Sequence, residues 1–380
     1  MPKHAYLSAS SAHRWLACPK SAALNAKLPD ESSPYAAEGT DCHELCAYEV
    51  EKALGRDVKD PTEDLSYYNT EMQNSADSYR DYVLEQLDEA KKLCRDPTVY
   101  VEQHVDFSRW VPNGFGTADC IIAADDLLQI IDMKYGLGVM VTADDETYGG
   151  NPQLMCYALG VLEMLDGIYD IENVRLTIFQ PRRENISTYD ISKKDLLDWA
   201  DNVLKPGAAL AYNDEGDFHA GAHCQFCKVK ATCRKRAEYN LEMAKYDFAM
   251  PDTLSDEEIA AILPDIEHLI SWANDVKDYA LEKAESGTHI DGYKLVEGRS
   301  IRKYTDETVV AEVVEKAGFD PFDKKLKGIT AMTNLLGKKK FNDLLGDYII
   351  KPPGKPTLVP ESDKRPEMKN SAVDDFKESE

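Results

Sequence analysis

The 380-residue chain is 43% hydrophobic and 30% charged, an ordinary globular composition with length enough for two domains. Its net charge of −25 excludes a general nucleic-acid coat, because phosphate affinity comes from basic surface. It leaves open an enzyme that meets DNA through a local basic patch and metal ions. No run reaches the ~18 apolar residues of a membrane span. The start MPKHAYLSASSAHRWLACPK lacks the apolar core of a signal peptide, so a cytoplasmic protein without membrane partners is expected.

In chain order, residues 8–25 read as a short helix with Trp15 and Leu16 on its apolar side. A Pro-containing loop then leads to a helix over 36–54 ending at Gly55, and a second long helix covers 71–94. TVYVEQHVDF (98–107) alternates as a strand, and GTADCIIAAD (116–125) pairs with LLQIIDMK (127–134) across a tight acidic turn. NPQLMCYALGVLEML (151–165) is a helix with Pro152 in its first turn. NVRLTIFQPR (173–182) is a central strand, and 192–204 a helix opened by Ser192. This order predicts an α/β sandwich around a short mixed sheet, not a Rossmann repeat. Beyond it, 255–286 read as two helices, 292–306 as a hairpin turning at Glu297-Gly298, and 307–348 as two or three short helices. The proline- and charge-rich 351–367 reads as extended or disordered. The expected domains are 1–245, a mostly helical extension over 246–350, and a tail over 351–380.

Residues i and i+2 of a strand share a face, so Asp132 and Lys134 stand side by side. Antiparallel pairing can bring Asp119 onto the same face, with Gly114 and Gly116 letting the backbone turn tightly just before it. Two close carboxylates resist joint ionisation, and a divalent cation removes that cost. Lys134 beside such a cation could orient water or steady charge on a phosphate. His43 lies inside a helix, and Gln153 and Tyr157 fall four apart on one helical face.

Nine cysteines, an odd number, argue against a disulfide framework. Cys42, Cys46, Cys94, Cys120 and Cys156 sit among apolar neighbours and suit a core. Cys224, Cys227 and Cys233 form a C-x2-C-x5-C triplet, and Cys18 is available as a fourth ligand if the chain ends of the domain meet. Zinc and an iron–sulfur cluster both fit four thiolates, and His223 could replace Cys18 in a zinc site. Lys228, Lys230, Arg234, Lys235 and Arg236 around the triplet suggest a DNA-facing lobe.

The series His43, Asp119, Asp132-x-Lys134, Gln153-x3-Tyr157 resembles the PD-(D/E)XK superfamily, specifically its RecB-like exonuclease branch. The resemblance implies a restriction-endonuclease-like core in which His43, Asp119, Asp132 and the Met133 main-chain oxygen hold Mg²⁺ or Mn²⁺. It implies that Lys134 is catalytic and that Gln153 and Tyr157 serve the site and DNA handling. Glu102 resembles an acid of many relatives and is given no role. The cysteine pattern resembles the AddB type of iron–sulfur nuclease, which implies a [4Fe–4S] cluster on Cys18, Cys224, Cys227 and Cys233 fastening the chain ends. Over its whole length, through SASSAHRWLACPKS, GYKLVEGRSIRKY and the proline-rich tail, the chain is similar to a phage- and prophage-encoded family of unknown function. The expected function is a metal-dependent DNA exonuclease in a bacterial host cell, acting on single strands or duplex ends with phage recombination or replication proteins. The alternatives are a catalytically silent nuclease fold that binds DNA or a partner, and a zinc-stabilised assembly protein.

Overall fold

The structure, a computed structural model, describes residues 5–29, 34–242, 254–296, 307–316, 322 and 328–349. The chain forms two compact units, Met1–Ser286 and Gly287–Glu380. The first therefore runs past the boundary expected at 245, because helix α9 (Asp256–Glu285) packs on α8 (Arg234–Leu241). Among the described residues of the second unit are three short helices, α10 (Glu307–Lys316), α11 (Ile329–Leu336) and α12 (Lys338–Leu345). Most of the 292–306 hairpin and all of the 351–380 tail lie outside the described residues.

The first unit is mixed α/β, a five-stranded sheet flanked by helices. Strands β1 (Thr98–Asp106), β2 (Phe115–Ala124) and β3 (Leu127–Met133) form an antiparallel meander. β3 then pairs in parallel with β6 (Asn173–Gln180), and β6 pairs antiparallel with β7 (Asn185–Ser192). Between them lie a two-residue ribbon, β4 (Asp144–Asp145) with β5 (Gly149–Gly150), and helix α5 (Pro152–Met164). α5 covers one sheet face together with α1 (Ala12–Ala17), α6 (Lys193–Trp199) and α7 (Lys205–Tyr212). α3 (Pro34–Ala53) and α4 (Thr70–Leu93) cover the other. Local chemistry sets the helix starts. The Asn69 side chain accepts the Met72 N–H at 3.0 Å to open α4, Asn151 accepts the Gln153 N–H to open α5, and Ser192 accepts the Asp195 N–H to open α6.

Four expectations change. The helix expected over 8–25 is broken by Cys18-Pro19 into α1 and α2 (Ser21–Ala26), since proline disfavours helix in the residue before it. The helix expected over 192–204 continues through a π turn, Ala200–Leu204, into α7. β7 was not expected, its polar sequence fitting an edge strand exposed on one side. Residues 255–286 form one helix instead of two: Pro264 sits on its exposed side, where the carbonyl that loses its backbone partner is open to solvent.

The sheet has one irregularity that matters. Val99 and Val101 pack with α3 and α4, whereas Val105 and Phe107, also odd-numbered, pack on the α5 side. β2 switches likewise: Cys120, Ile122 and Ala124 face α3 and α4, but Ala118 faces α5. The two switches meet at Glu102 and Asp119, where the pairing from Val101↔Cys120 to Gln103↔Ala118 skips one position and Glu102 takes φ 48°. A non-glycine residue there is uncommon and strained, and strain of this kind gathers at functional sites.

Candidate metal centre and cysteine site

The register that pairs Cys120 with Ile131 brings Asp119 opposite Asp132 when extended by one residue, and the β1–β2 register brings Glu102 opposite Asp119. Three carboxylates thus occupy one row across three neighbouring strands. From the α3 side, His43 Nδ1 lies 3.3 Å from Asp119 Oδ2. Ligand atoms of His43, Glu102 and Asp119 all lie within 4.8 Å of one another, close enough to share a cation. Glu102 is therefore the member that the residue pattern left without a role.

Asp132 and Lys134 complete the row. Lys134 Nζ lies 2.6 Å from Asp132 Oδ2, and Gln153 Nε2 donates to Asp132 Oδ1 at 3.0 Å. The same Gln153 amide lies 3.2 Å from the Tyr157 hydroxyl, so the two α5 residues share one face as their spacing predicted, and Gln153 is the one that reaches the carboxylate. Asp132 is 2% exposed. Both of its oxygens are thus spoken for within the chain, whereas His43 and Glu102 converge on Asp119. Met133 meets the site through its main-chain N–H, which donates to Asp119 Oδ2 at 2.7 Å, while its side chain is buried in the core. The expected ligand set of His43, Asp119, Asp132 and the Met133 oxygen is thus drawn together in part, with Glu102 taking the place nearest His43 and Asp119.

Gly116 serves closeness, not a turn as expected: a Cβ there would lie 2.8 Å from Tyr157 Cε1. Gly114 likewise leaves room for the Phe107 ring.

Charge in the row is unevenly shared. Burial pushes Asp132 up, only partly offset by Lys134, and the neighbouring Asp119 charge adds to the rise. Burial also works against Asp119, but His43, Lys134 and the Met133 N–H outweigh it and hold that carboxyl low. Glu102 is exposed as a residue, yet its carboxyl faces this crowd; desolvation and the Asp119 charge push it up to about 7. His43 loses from burial but gains more from Asp119, which raises it to about 9. Lys134 follows the same logic: burial lowers it, and Asp132 and Asp119 carry it above its ordinary value.

The second site lies where α1 and α2 meet the loop before α8. Cys18, Cys224, Cys227 and Cys233 line one cavity, although Cys18 is about two hundred residues from the triplet. Cys18, Cys224 and Cys227 are buried and Cys233 half-buried. Among the described residues, no three of the sulfurs lie within 4.8 Å of one another. His223 lines the same cavity, but its Nε2 points at the His219 carbonyl 3.0 Å away. It must donate there, which leaves that nitrogen unavailable as a ligand. Of the remaining cysteines, Cys42, Cys46, Cys120 and Cys156 are core residues as expected, and Cys94 is half-buried.

The basic lobe changes character. Lys230 and Arg236 both pair with Asp275 of α9, at 2.7 and 2.5 Å, and Arg236 is 5% exposed. Lys228 Nζ donates to the carbonyls of Asn25 and Leu28, at the end of α2. These three hold the chain together; Arg234 and Lys235 are the exposed members. Nothing in the local sequence could have told the two groups apart, because Asp275 is 39 residues beyond Arg236.

No helix among the described residues is long and apolar enough to cross a membrane. A solved structure described as "Crystal structure of SSO0001" is similar at 17% identity over 52% of this chain and 97% of that one, with a TM-score of 0.22, too low to inform fold or activity. A family model described as "Protein of unknown function (DUF2800)" matches residues 4–366, and the chain belongs to that family.

Proposed function

We propose that the protein is a divalent-metal-dependent deoxyribonuclease with a PD-(D/E)XK-type core, acting as an exonuclease. The observation that carries this reading is the convergence of His43, Glu102 and Asp119 beside the Asp132–Lys134 pair. The donor set fits Mg²⁺ or Mn²⁺: oxygen-rich, with one imidazole, and holding two carboxylates whose crowding a cation relieves. Glu102, raised to about 7, is the group that such relief would return to its ionised form.

A bound cation supplies Lewis-acid polarisation of a phosphodiester and acidifies its water. The chain's own residues do the rest. Lys134, held by Asp132, presents a cation toward the same space and can steady charge on the scissile phosphate. Gln153 fixes Asp132, and Tyr157 fixes Gln153, so the lysine's partner has a single orientation. Asp119 orders His43 and anchors the Met133 N–H, which joins β2 to the end of β3. The strongly acidic chain is compatible with this chemistry because substrate phosphate would meet the cation and Lys134 first.

The cysteine cavity supports a structural metal group. Four thiolates lining one cavity fit an iron–sulfur group such as [4Fe–4S], with a single zinc as the alternative. Such a group would fasten α1 and α2 to the loop before α8. A phage replication or recombination setting, with proteins of that machinery as partners, remains part of the proposal.

The test is cleavage of labelled DNA with Mn²⁺ or Mg²⁺ by wild type and Asp132→Ala. Cleavage that falls by about 10²-fold or more in a folded variant supports the reading. Wild-type cleavage by Asp132→Ala would overturn the site, and a metal-loaded wild type that binds DNA without cutting would favour the silent binding module.

A further inference from the structure

We propose that Asn25 is a dedicated hydrogen-bond donor to a metal-bound Cys227 sulfur, a positioning residue that governs how firmly the cysteine site holds its metal group. The inference rests on the reading that the four cysteines bind metal. Asn25 lies on α2 and is 7% exposed. Its Nδ2 donates to Cys227 Sγ at 3.2 Å and to the Ser21 carbonyl at 2.7 Å, while its Oδ1 accepts the Lys228 main-chain N–H at 2.8 Å.

Those partners settle which way the amide faces. A main-chain N–H can only donate, so the atom opposite Lys228 must be oxygen; a carbonyl can only accept, so the atom opposite Ser21 must be nitrogen. The remaining N–H is thereby aimed at sulfur. Arg14 Nη1 donates to the same Ser21 carbonyl at 3.0 Å and to the Ser21 hydroxyl at 2.9 Å, fixing the turn that carries the amide.

Such an arrangement says something about the sulfur. A neutral thiol is a weak acceptor, and a buried amide N–H gains little by facing one. A sulfur carrying thiolate charge is a strong acceptor, but a bare thiolate in a buried cavity is costly. Metal coordination gives the sulfur that charge without leaving it unpaired. A second N–H points at the same site: the His219 main chain donates to Cys18 Sγ at 3.5 Å. Partners of this kind, one bond beyond the ligand atoms, usually change metal affinity by about 10–100-fold when removed.

The experiment uses the full chain, purified without oxygen, as wild type, Asn25→Asp, Asn25→Ala and Lys228→Ala. Iron, sulfide and zinc are measured per chain, and loss of metal to excess EDTA is followed in time. Asn25→Asp keeps an oxygen for the Lys228 N–H but turns a carboxylate oxygen toward the sulfur. It should release metal about 10–100-fold faster than wild type, and Asn25→Ala should also release it faster. Lys228→Ala, which cuts the side-chain tether to Asn25 and Leu28 while leaving the sulfur donor, should stay near wild type. If the metal is an iron–sulfur group, Asn25→Asp should also move its midpoint potential to a more negative value, because the lost bond stabilised the reduced form. Asn25→Asp that holds metal as firmly as wild type overturns this inference alone, and so does Lys228→Ala that releases it as fast as Asn25→Asp. A wild-type protein with neither iron nor zinc overturns the metal reading beneath it.

Discussion

Gly116→Ala adds one methyl group to a residue that touches no proposed ligand, and the structure sets the sign of its effect. Gly116 pairs with Val105 in ordinary strand conformation, so the backbone accepts alanine without strain. Were the space open, the change would stabilise the protein by about 0.4–1 kcal/mol through the unfolded chain. The space is filled: the new Cβ would stand 2.8 Å from Tyr157 Cε1, against an optimal ~3.5–4.0 Å between carbons. The ring cannot simply swing away, since Tyr157 is 6% exposed and its hydroxyl is tied to Gln153. Overpacking of this kind costs about 1–3 kcal/mol, so the net change is a destabilisation of about 1–2 kcal/mol. That lowers Tm by about 2–8 °C for a unit of this size. The displacement also passes through Gln153 to Asp132, and misplacements near 1 Å can cost ~10²-fold in rate. Thermal unfolding of Gly116→Ala, Tyr157→Leu and the double variant forms a cycle. The alanine should be less harmful beside leucine than beside tyrosine. A stabilised Gly116→Ala, or additive effects in the double variant, would refute the packing of Tyr157 on β2.

Two further outcomes follow from the charges and the cysteines. Glu102 rises from 4.5 to about 7 and His43 from 6.5 to about 9, so the metal-free fold favours both protonated forms. The stabilisation from charged His43 is complete below pH 6.5 and lost as pH rises through 9, and the cost of ionised Glu102 grows as pH rises through 7. Metal-free protein should therefore lose stability from about pH 5 to 9, while the Tm gain from Mn²⁺ should grow over the same window because ligands bind metal deprotonated. Glu102→Gln should flatten that growth, and a Mn²⁺ effect equal at pH 6 and pH 9 would exclude these ligands. Cys18→Ala should lose metal and melt well below wild type, since the staple would close a loop of about two hundred residues and such long closures restrict the unfolded chain most; unchanged metal content would remove Cys18 from the site.

Much of this arrangement was legible because short-range geometry carried it. The two-residue turn Asp125–Asp126 fixes the β2–β3 register, and that register alone sets Asp119 opposite Asp132. Four-residue spacing on a helix likewise sends Gln153 and Tyr157 to one place. The place of Glu102 in the site was not legible. Val99, Val101, Val105 and Phe107 read as one unbroken alternation, yet the chain reverses its faces between Val101 and Val105 through a positive φ that no residue type there announces. The basic lobe failed for a different reason. Lys230 and Arg236 looked free because their partner, Asp275, comes from a helix whose packing no local pattern predicts. Pro264 misled in the same sense, as its harm to a helix depends on which side meets water.

The most direct measurement of the nuclease reading pairs two assays on Lys134→Met. Mn²⁺ binding is followed by calorimetry, and cleavage is followed on 5′- and 3′-labelled single- and double-stranded DNA. Lys134 pairs with Asp132 and stands outside the His43–Glu102–Asp119 group, so the variant should bind Mn²⁺ as wild type does and lose cleavage by about 10²-fold or more. A variant that cuts at the wild-type rate, or loses metal affinity and fold together, would make Asp132–Lys134 a structural ion pair and contradict the account.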